Sequence, residues 1–249
     1  MEEEIRQLQK RFEELSARAD GRGRYTYTQF LTLAEQDVLS RMERQLAAPV
    51  TWLGGYDTAE RRVACFGREE DMGYPPPDPI RCLCIAPLSK KFAGDLGHRD
   101  FLGSLMGLGI KRQLLGDIQI VEGAGWLFCL EEIADYICDN LTSVGRTTVS
   151  CTSAQPPEQL SLPPEPSEIV VASERLDALI AAVWRLSRSE SQELLERGMV
   201  FIGGRLVESP SHTLQEGDLV SVRHKGRFRY EGAVRETKKG RLRVSVRIY

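Results

Sequence analysis

A chain of 249 residues exceeds one average domain, and 41% hydrophobic content can fill real cores, so two or three domains are expected. No stretch approaches the roughly 18 apolar residues of a membrane span, and the acidic start Met1-Glu2-Glu3-Glu4 is the reverse of a secretory signal, which points to a cytoplasmic protein without membrane contact. The net charge of -3 conceals a split: from Ser173 to Tyr249, 15 Lys and Arg stand against 10 Asp and Glu, a surplus of five that leaves the first 172 residues at -8.

Residues 1–74 read as an N-terminal helical or mixed α/β domain. Ile5, Leu8, Phe12 and Leu15 form one helical stripe, and Val38, Met42 and Leu46 another. Both read as core faces, with a docking surface for protein partners as the alternative. The run Gly73-Tyr74-Pro75-Pro76-Pro77-Asp78-Pro79 then breaks the chain.

Residues 75–153 carry the order of a β-α-β-β-α-β plait, the arrangement of an RNA-recognition fold. Residues 80–87 read as a strand and 100–108 as a helix. Runs 117–121 and 126–130 form a hairpin around Gly123 and Gly125, 131–141 is a helix and 147–151 a strand. RNA-recognition domains stack bases on aromatics of their two central strands. The first of these, Arg81-Cys82-Leu83-Cys84-Ile85, has none, whereas Trp126 and Phe128 on the other alternate suitably but suit a core equally well. Six cysteines (Cys65, Cys82, Cys84, Cys129, Cys138, Cys151) lack Cys-x-x-Cys spacing and nearby His, so they read as buried reduced thiols, with Cys82 and Cys84 on one face of a strand. Neither metal nor cofactor is called for.

The densest polar cluster of this domain runs from His98 through Arg112, followed by Gly116-Asp117. His98-Arg99-Asp100 looks like a kinase catalytic loop, but Leu105 stands where a magnesium-binding Asn is needed and the Gly-rich loop is missing. His98, Arg99, Lys111 and Arg112 bracket one short helix, and a common phosphate within their reach would make a second RNA surface.

Residues 154–167, with five prolines among Gln, Glu and Ser, read as a semi-rigid linker to a last domain at 168–249. There Leu176, Leu179, Ile180 and Val183 give a helix one apolar face, and Ser173 can cap it. A second helix opens at Ser187-Arg188-Ser189, where Ser187 with Glu190 and Ser189 with Gln192 both have capping-box spacing, and stops at Gly198. Gly203-Gly204 reads as a tight hairpin turn with Arg205 at its tip. Beyond it Arg223, Lys225, Arg227, Arg229 and then Lys238, Lys239, Arg241, Arg243, Arg247 alternate in part with apolar residues, so these strands present a basic face.

The series Arg175-Leu176-Asp177, Ser187-Arg188, Gly198, Gly203-Gly204 and Gly217-Asp218 resembles the alpha-L motif, the small RNA-binding module first seen in bacterial ribosomal protein S-four. The departure is Gly203, where the module often has Asn. The chain as a whole resembles the bacterial YlmH proteins, through Phe30-Leu31-Thr32-Leu33-Ala34-Glu35-Gln36, Gly54-Gly55-Tyr56 with Ala59-Glu60-Arg61-Arg62, and His98 through Asp117. The resemblance implies a cytoplasmic RNA-binding protein associated with large ribosomal subunits carrying peptidyl-tRNA, in ribosome-associated quality control, with an earlier link to cell division. The expected fold is therefore α+β: an N-terminal α/β domain, an RNA-recognition-like plait and an alpha-L domain with a basic β extension.

The expected site comprises Arg175, Ser187, Arg188, Ser189, Gln192, Arg197, Gly204, Arg205, Lys225, Arg227 and Arg229, gripping the backbone of rRNA or tRNA without catalysis, together with Asp177, which positions Arg175 by a charge-assisted hydrogen bond or helps cap the helix. Two alternatives remain. Arg175-Leu176-Asp177 looks superficially like the catalytic stretch of pseudouridine synthases, but Glu174 precedes it and no catalytic domain of the necessary size remains. The other is a cell-division adaptor using the N-terminal region.

Overall fold

The computed structural model describes residues 2–89, 96–237 and 240–249, so Lys238 and Lys239 of the basic tail lie outside the described residues. The chain forms two compact units, Met1–Leu162 and Pro163–Tyr249. No helix among the described residues is long and apolar enough to cross a membrane.

The first unit opens with α1 (Glu2–Arg22), β1 (Thr26–Tyr27), α2 (Leu33–Met42), β2 (Val50–Leu53), β3 (Val63–Phe66) and α3 (Glu69–Met72). The strands form an antiparallel sheet in the order β1-β3-β2. Thr32 and Glu35 close a capping box that starts α2, satisfying orphan N–H groups at both ends of the box. Phe12 and Met42 are buried, with Leu8, Leu15, Val38 and Leu46 packed against them, so both expected stripes face the core, and only Ile5 of the first is exposed.

The plait follows: β4 (Ile80–Pro87), α4 (His98–Gly107), β5 (Leu115–Val121), β6 (Ala124–Leu130), α5 (Glu131–Asn140), β7 (Ser143–Val144), β8 (Thr147–Ser153) and the one-turn α6 (Glu158–Ser161). The sheet order is β5-β6-β4-β8-β7, which is the β-α-β-β-α-β order read from the sequence with the short β7 added at one edge. Leu83, Ile85, Leu127 and Cys129 face the helices, meeting Phe101, Leu105, Ala134 and Ile137. The turn between β5 and β6 is Glu122-Gly123, both at positive φ, so Gly125 belongs to β6 rather than to the turn. A Cβ on Gly125 would lie within 2.9 Å of three ring carbons of Phe101, which explains a glycine inside a strand.

The break expected at 73–79 lies inside this first unit. Tyr25 and Tyr27 donate their hydroxyls to the Tyr74 and Pro77 carbonyls, 2.8 Å each. The other face of the plait sheet is apolar and needs cover. Ile80, Phe128 and Leu130 on that face share a core with Phe30 and Val63, and Tyr56 stacks on Phe128 with centroids 4.8 Å apart. Gly55 makes this closure possible: its φ is +82°, and a Cβ there would fall under 3.0 Å from the Phe128 ring.

The second unit contains β9 (Pro166–Val171), α7 (Leu176–Trp184), α8 (Arg188–Glu196), β10 (Val200–Ile202), β11 (Arg205–Leu206), β12 (Leu219–Val222), β13 (Gly226–Glu236) and β14 (Leu242–Ile248). Its sheet runs β11-β10-β12-β13-β14-β9, antiparallel throughout. Leu176, Leu179, Ile180 and Leu195 bury one sheet face with Val220, Val222, Phe228, Tyr230, Val244 and Val246. β9 was not expected: Pro166 of the proposed linker already pairs with Arg247.

Candidate nucleic-acid interface

Ser173 does not cap α7. Arg175 holds that position, and the first helical N–H groups are satisfied by the loop between β11 and β12, Leu176 N–H donating to His212 O at 2.8 Å and Asp177 N–H to Pro210 O at 3.3 Å. α7 ends at Arg185, which takes the left-handed conformation (φ 54°) and lets the chain reverse within two residues. Ser187 then caps α8 with Glu190 as its reciprocal partner, which settles the start between the two spacings read in the sequence. Ser189 lies one residue inside the helix, its hydroxyl 3.1 Å from that of Ser187.

This tight α7–α8 connection brings together residues far apart in the pattern. Asp177 accepts from Arg175 Nε and Nη2 at 3.0 and 3.1 Å, from Arg188 Nε at 3.3 Å and from Gln192 Nε2 at 3.3 Å. The Asp177 side chain is 1% exposed, whereas those of Arg175 and Arg188 are 36% and 67% exposed. Asp177, though counted in the expected RNA-binding set, is an internal organiser that positions Arg175 as its spacing suggests: its carboxylate is spent inside, holding the guanidinium groups of Arg175 and Arg188, which remain accessible to solvent, and the half-buried Gln192. Burial raises its pKa, but the hydrogen bonds from Arg175 and Gln192 and the charges of Arg175 and Arg188 outweigh that, so the carboxyl titrates below its ordinary value.

A pH dependence follows. A carboxylate whose folded pKa is depressed stabilises the fold above its unfolded pKa of about 3.9, and that contribution is lost as pH falls through the folded value. Denaturant unfolding is expected to show the full chain more stable than its Asp177→Asn variant at neutral pH, with the gap closing as the pH falls below about 4. A gap that widens on acidification would contradict this.

The other expected residues divide. Arg197 closes α8 and pairs with Glu193 at 3.2 Å, both exposed. Gly203 and Gly204 take φ of 56° and 88°, the two positive values a type I′ hairpin needs, and Arg205 follows, exposed, opposite Ile202. Gly204→Ala is expected to cost about 1 to 2 kcal/mol through left-handed strain, measurable as a lowered urea midpoint at unchanged slope. Lys225 lies in the β12–β13 turn beside α7, its carbonyl accepting the Trp184 indole N–H at 3.1 Å, and its charge helps hold the Glu190 carboxyl low after the Ser187 hydrogen bonds.

Arg227 and Arg229 are placed elsewhere. They alternate with Phe228 and Tyr230, which point at the helices, so both arginines fall on the opposite sheet face from Arg188. Arg227 is also buried at 8% exposure, with its guanidinium 5.7 Å over the Tyr249 ring. A single continuous grip through these residues is thus corrected to two separate surfaces. Sequence reasoning missed Trp184, which anchors the Lys225 turn, and the exposed Arg185, whose left-handed backbone carries no sequence signal in a non-glycine residue.

In the plait, Arg99 and Lys111 are exposed, but Arg112 is turned inward and donates to the Leu115 and Gly116 carbonyls. Burial, then the neighbouring Arg61 charge, push its pKa down to about 10 against the pull of Asp117. His98 is exposed at the start of α4, and desolvation and the Arg112 charge lower its pKa. The expected four-residue phosphate cluster is therefore reduced by Arg112, which serves a structural hub instead. At that hub Asp117 accepts from Tyr56 Oη at 2.7 Å, Glu60 N–H at 2.7 Å and Arg61 N–H at 3.2 Å, while Arg61 reaches the Leu115 and Phe30 carbonyls. Phe128, being stacked on Tyr56, is unavailable to a base, and Trp126 stays half-buried. Of the six thiols expected to be buried, Cys65, Cys129 and Cys151 are, whereas Cys82, Cys84 and Cys138 are half-buried; burial pushes the Cys65 thiol up to about 11 and those of Cys82 and Cys129 up to about 12.

Comparison with known proteins agrees with this architecture. Residues 174–220 match the S4 domain, and residues 82–158 match the family described as "Putative RNA-binding domain in YlmH". The chain is 35% identical over 225 residues, 89% of its length and 86% of the relative's, to the ribosome-associated protein quality control protein P2 of Bacillus subtilis (strain 168). The solved cell division protein ylmH from Streptococcus pneumoniae superposes with a TM-score of 0.51 at 17% identity, covering 61% of this chain and 91% of that one, and so shares its fold. The class is accordingly that of RNA-binding proteins in which an S4 domain follows an RNA-recognition-like plait. The chain belongs to the YlmH family.

Proposed function

We propose that the chain binds structured rRNA or tRNA through the α7–α8 face, on large ribosomal subunits carrying peptidyl-tRNA, as a noncatalytic cytoplasmic factor in quality control of unfinished chains. The observation that carries this reading is the buried Asp177 carboxylate holding Arg175, Arg188 and Gln192 in one fixed set whose guanidinium groups remain accessible to solvent. Donors whose geometry is fixed before binding lose less entropy on contact, and guanidinium forks suit phosphate oxygens. Ser187, Ser189, Lys225, Arg197 and Arg205 lie on the same unit as further polar contacts, and the relative named for ribosome-associated quality control supports the assignment of context. Arg99 and Lys111, with His98 beside them, offer the plait a smaller polar surface for a second RNA element.

The same geometry weighs against a pseudouridine-synthase reading, since a carboxylate 1% exposed and already accepting four hydrogen bonds is poorly placed to attack a base. The test is gradient co-sedimentation with separated ribosomal subunits, with and without peptidyl-tRNA, beside a truncation ending at Leu162. Salt-sensitive binding to the large subunit, stronger with peptidyl-tRNA and abolished by truncation, is expected. Absence of binding to either subunit, or turnover of a uridine-containing RNA by the purified protein, would overturn the reading.

A further inference from the structure

The sheet of the second unit has two faces, and the helices use only one. On the other, β13 and β14 place arginines directly opposite one another, Arg229 with Arg247 and Arg235 with Arg243. Like charges facing across strands are destabilising, so a sheet that repeats the pairing carries a cost that a bound anion would relieve. Two carboxylates offset part of it: Glu168 takes Arg243 Nη1 at 2.9 Å and Glu231 takes Arg247 Nε at 3.2 Å. The Nε atoms of Arg229 and Arg243 are buried and have no hydrogen-bond partner, an uncommon state for a guanidinium N–H.

We propose that this face is a second phosphate-binding surface, which takes a segment of RNA backbone separate from the one on α7–α8. The inference rests on the RNA-binding reading above and adds that RNA is held on both sides of the same unit. The two arginine pairs stand four residues of β14 apart, about 13 Å along the strand, which makes an extended cationic track rather than a point site. Guanidinium forks spaced along one sheet face match a repeating phosphate backbone better than the scattered carboxylates of an acidic protein surface.

The full-length chain carrying Arg229→Gln and Arg243→Gln tests this against purified large ribosomal subunits over a salt series. Binding is expected to weaken roughly tenfold at fixed salt, and the slope of log affinity against log salt to shrink by about two, one for each phosphate that is no longer neutralised. The Arg229→Lys, Arg243→Lys chain, which keeps charge, should retain most of the slope, and adding Arg188→Ala to the Gln variant should multiply the two reductions in affinity, because the two surfaces are independent. A folded Gln variant with unchanged affinity and slope overturns the inference, as does weakening with an unchanged slope, which would point to a protein partner. Should Arg188→Ala also leave binding intact, the RNA-binding reading of the unit fails with it; should Arg188→Ala alone weaken binding, only the second surface is refuted.

Discussion

Asp177→Ala is expected to weaken RNA binding by about 2 kcal/mol, roughly thirtyfold in Kd, although its side chain reaches no solvent. The mechanism is loss of order. Without the carboxylate, Arg175 loses a bidentate partner, Arg188 loses the acceptor of its Nε, and Gln192 is released from the same oxygen. Each side chain must then be fixed at the moment of contact, at about 0.5 to 1.5 kcal/mol apiece. Stability should fall less than for a fully buried ion pair, because Arg188, 67% exposed, can rehydrate. Asn at this position keeps the volume but turns an amide N–H₂ toward two guanidinium groups, so it should bind no better than Ala. Fluorescence anisotropy with a fixed RNA, alongside thermal unfolding, separates the two effects. A variant that binds normally would mean that Arg175 and Arg188 need no internal organiser.

Phe128→Ala is expected to destabilise the first unit by about 3 to 5 kcal/mol, the range for emptying a well-filled aromatic site. Phe128 is 1% exposed, carries Tyr56 on one side, and joins the N-terminal sheet to the plait through a core that includes Phe30, Val63 and Ile80. Collapse into the gap is opposed by the Asp117 hub, which fixes Tyr56, Glu60 and Arg61 from the other side. Chemical denaturation should show a lowered midpoint for the transition of this unit, with the second unit unaffected. An unchanged midpoint would mean that the two sheets of the unit do not share a core.

The contrast between these residues shows what the sequence carries. Plait order was legible because short apolar runs such as Cys82-Leu83-Cys84-Ile85 are set apart by helical stretches and by the glycines near 123–125, and α8 because Ser187 and Glu190 have capping-box spacing. The Gly203-Gly204 hairpin was legible because few other residues tolerate its backbone. Face assignment was not. Period two says that Arg227 and Arg229 share a face, but which face the helices cover is a long-range fact, decided by Leu176, Leu179 and Leu195 packing on Phe228 and Tyr230. Phe128 suits core and base stacking equally in the sequence for the same reason, since its cover comes from Tyr56, far away in the chain. β9 was hidden by composition: Pro163, Pro164 and Pro166 read as linker, and pairing with β14 overrides them. Arg112 was misplaced because a basic residue beside a helix reads as solvated, whereas carbonyls at the start of β5 draw it inward.

Arg188, held by Asp177, is proposed to grip RNA. The most direct measurement is the affinity of the full-length protein and its Arg188→Ala variant for large ribosomal subunits carrying peptidyl-tRNA, over a salt series, with folding checked by thermal unfolding. A loss of about 1 to 3 kcal/mol with a shallower salt dependence is expected, as for a charge-assisted contact to phosphate. A folded variant with unchanged affinity and slope would contradict it and remove the α7–α8 face from the interface.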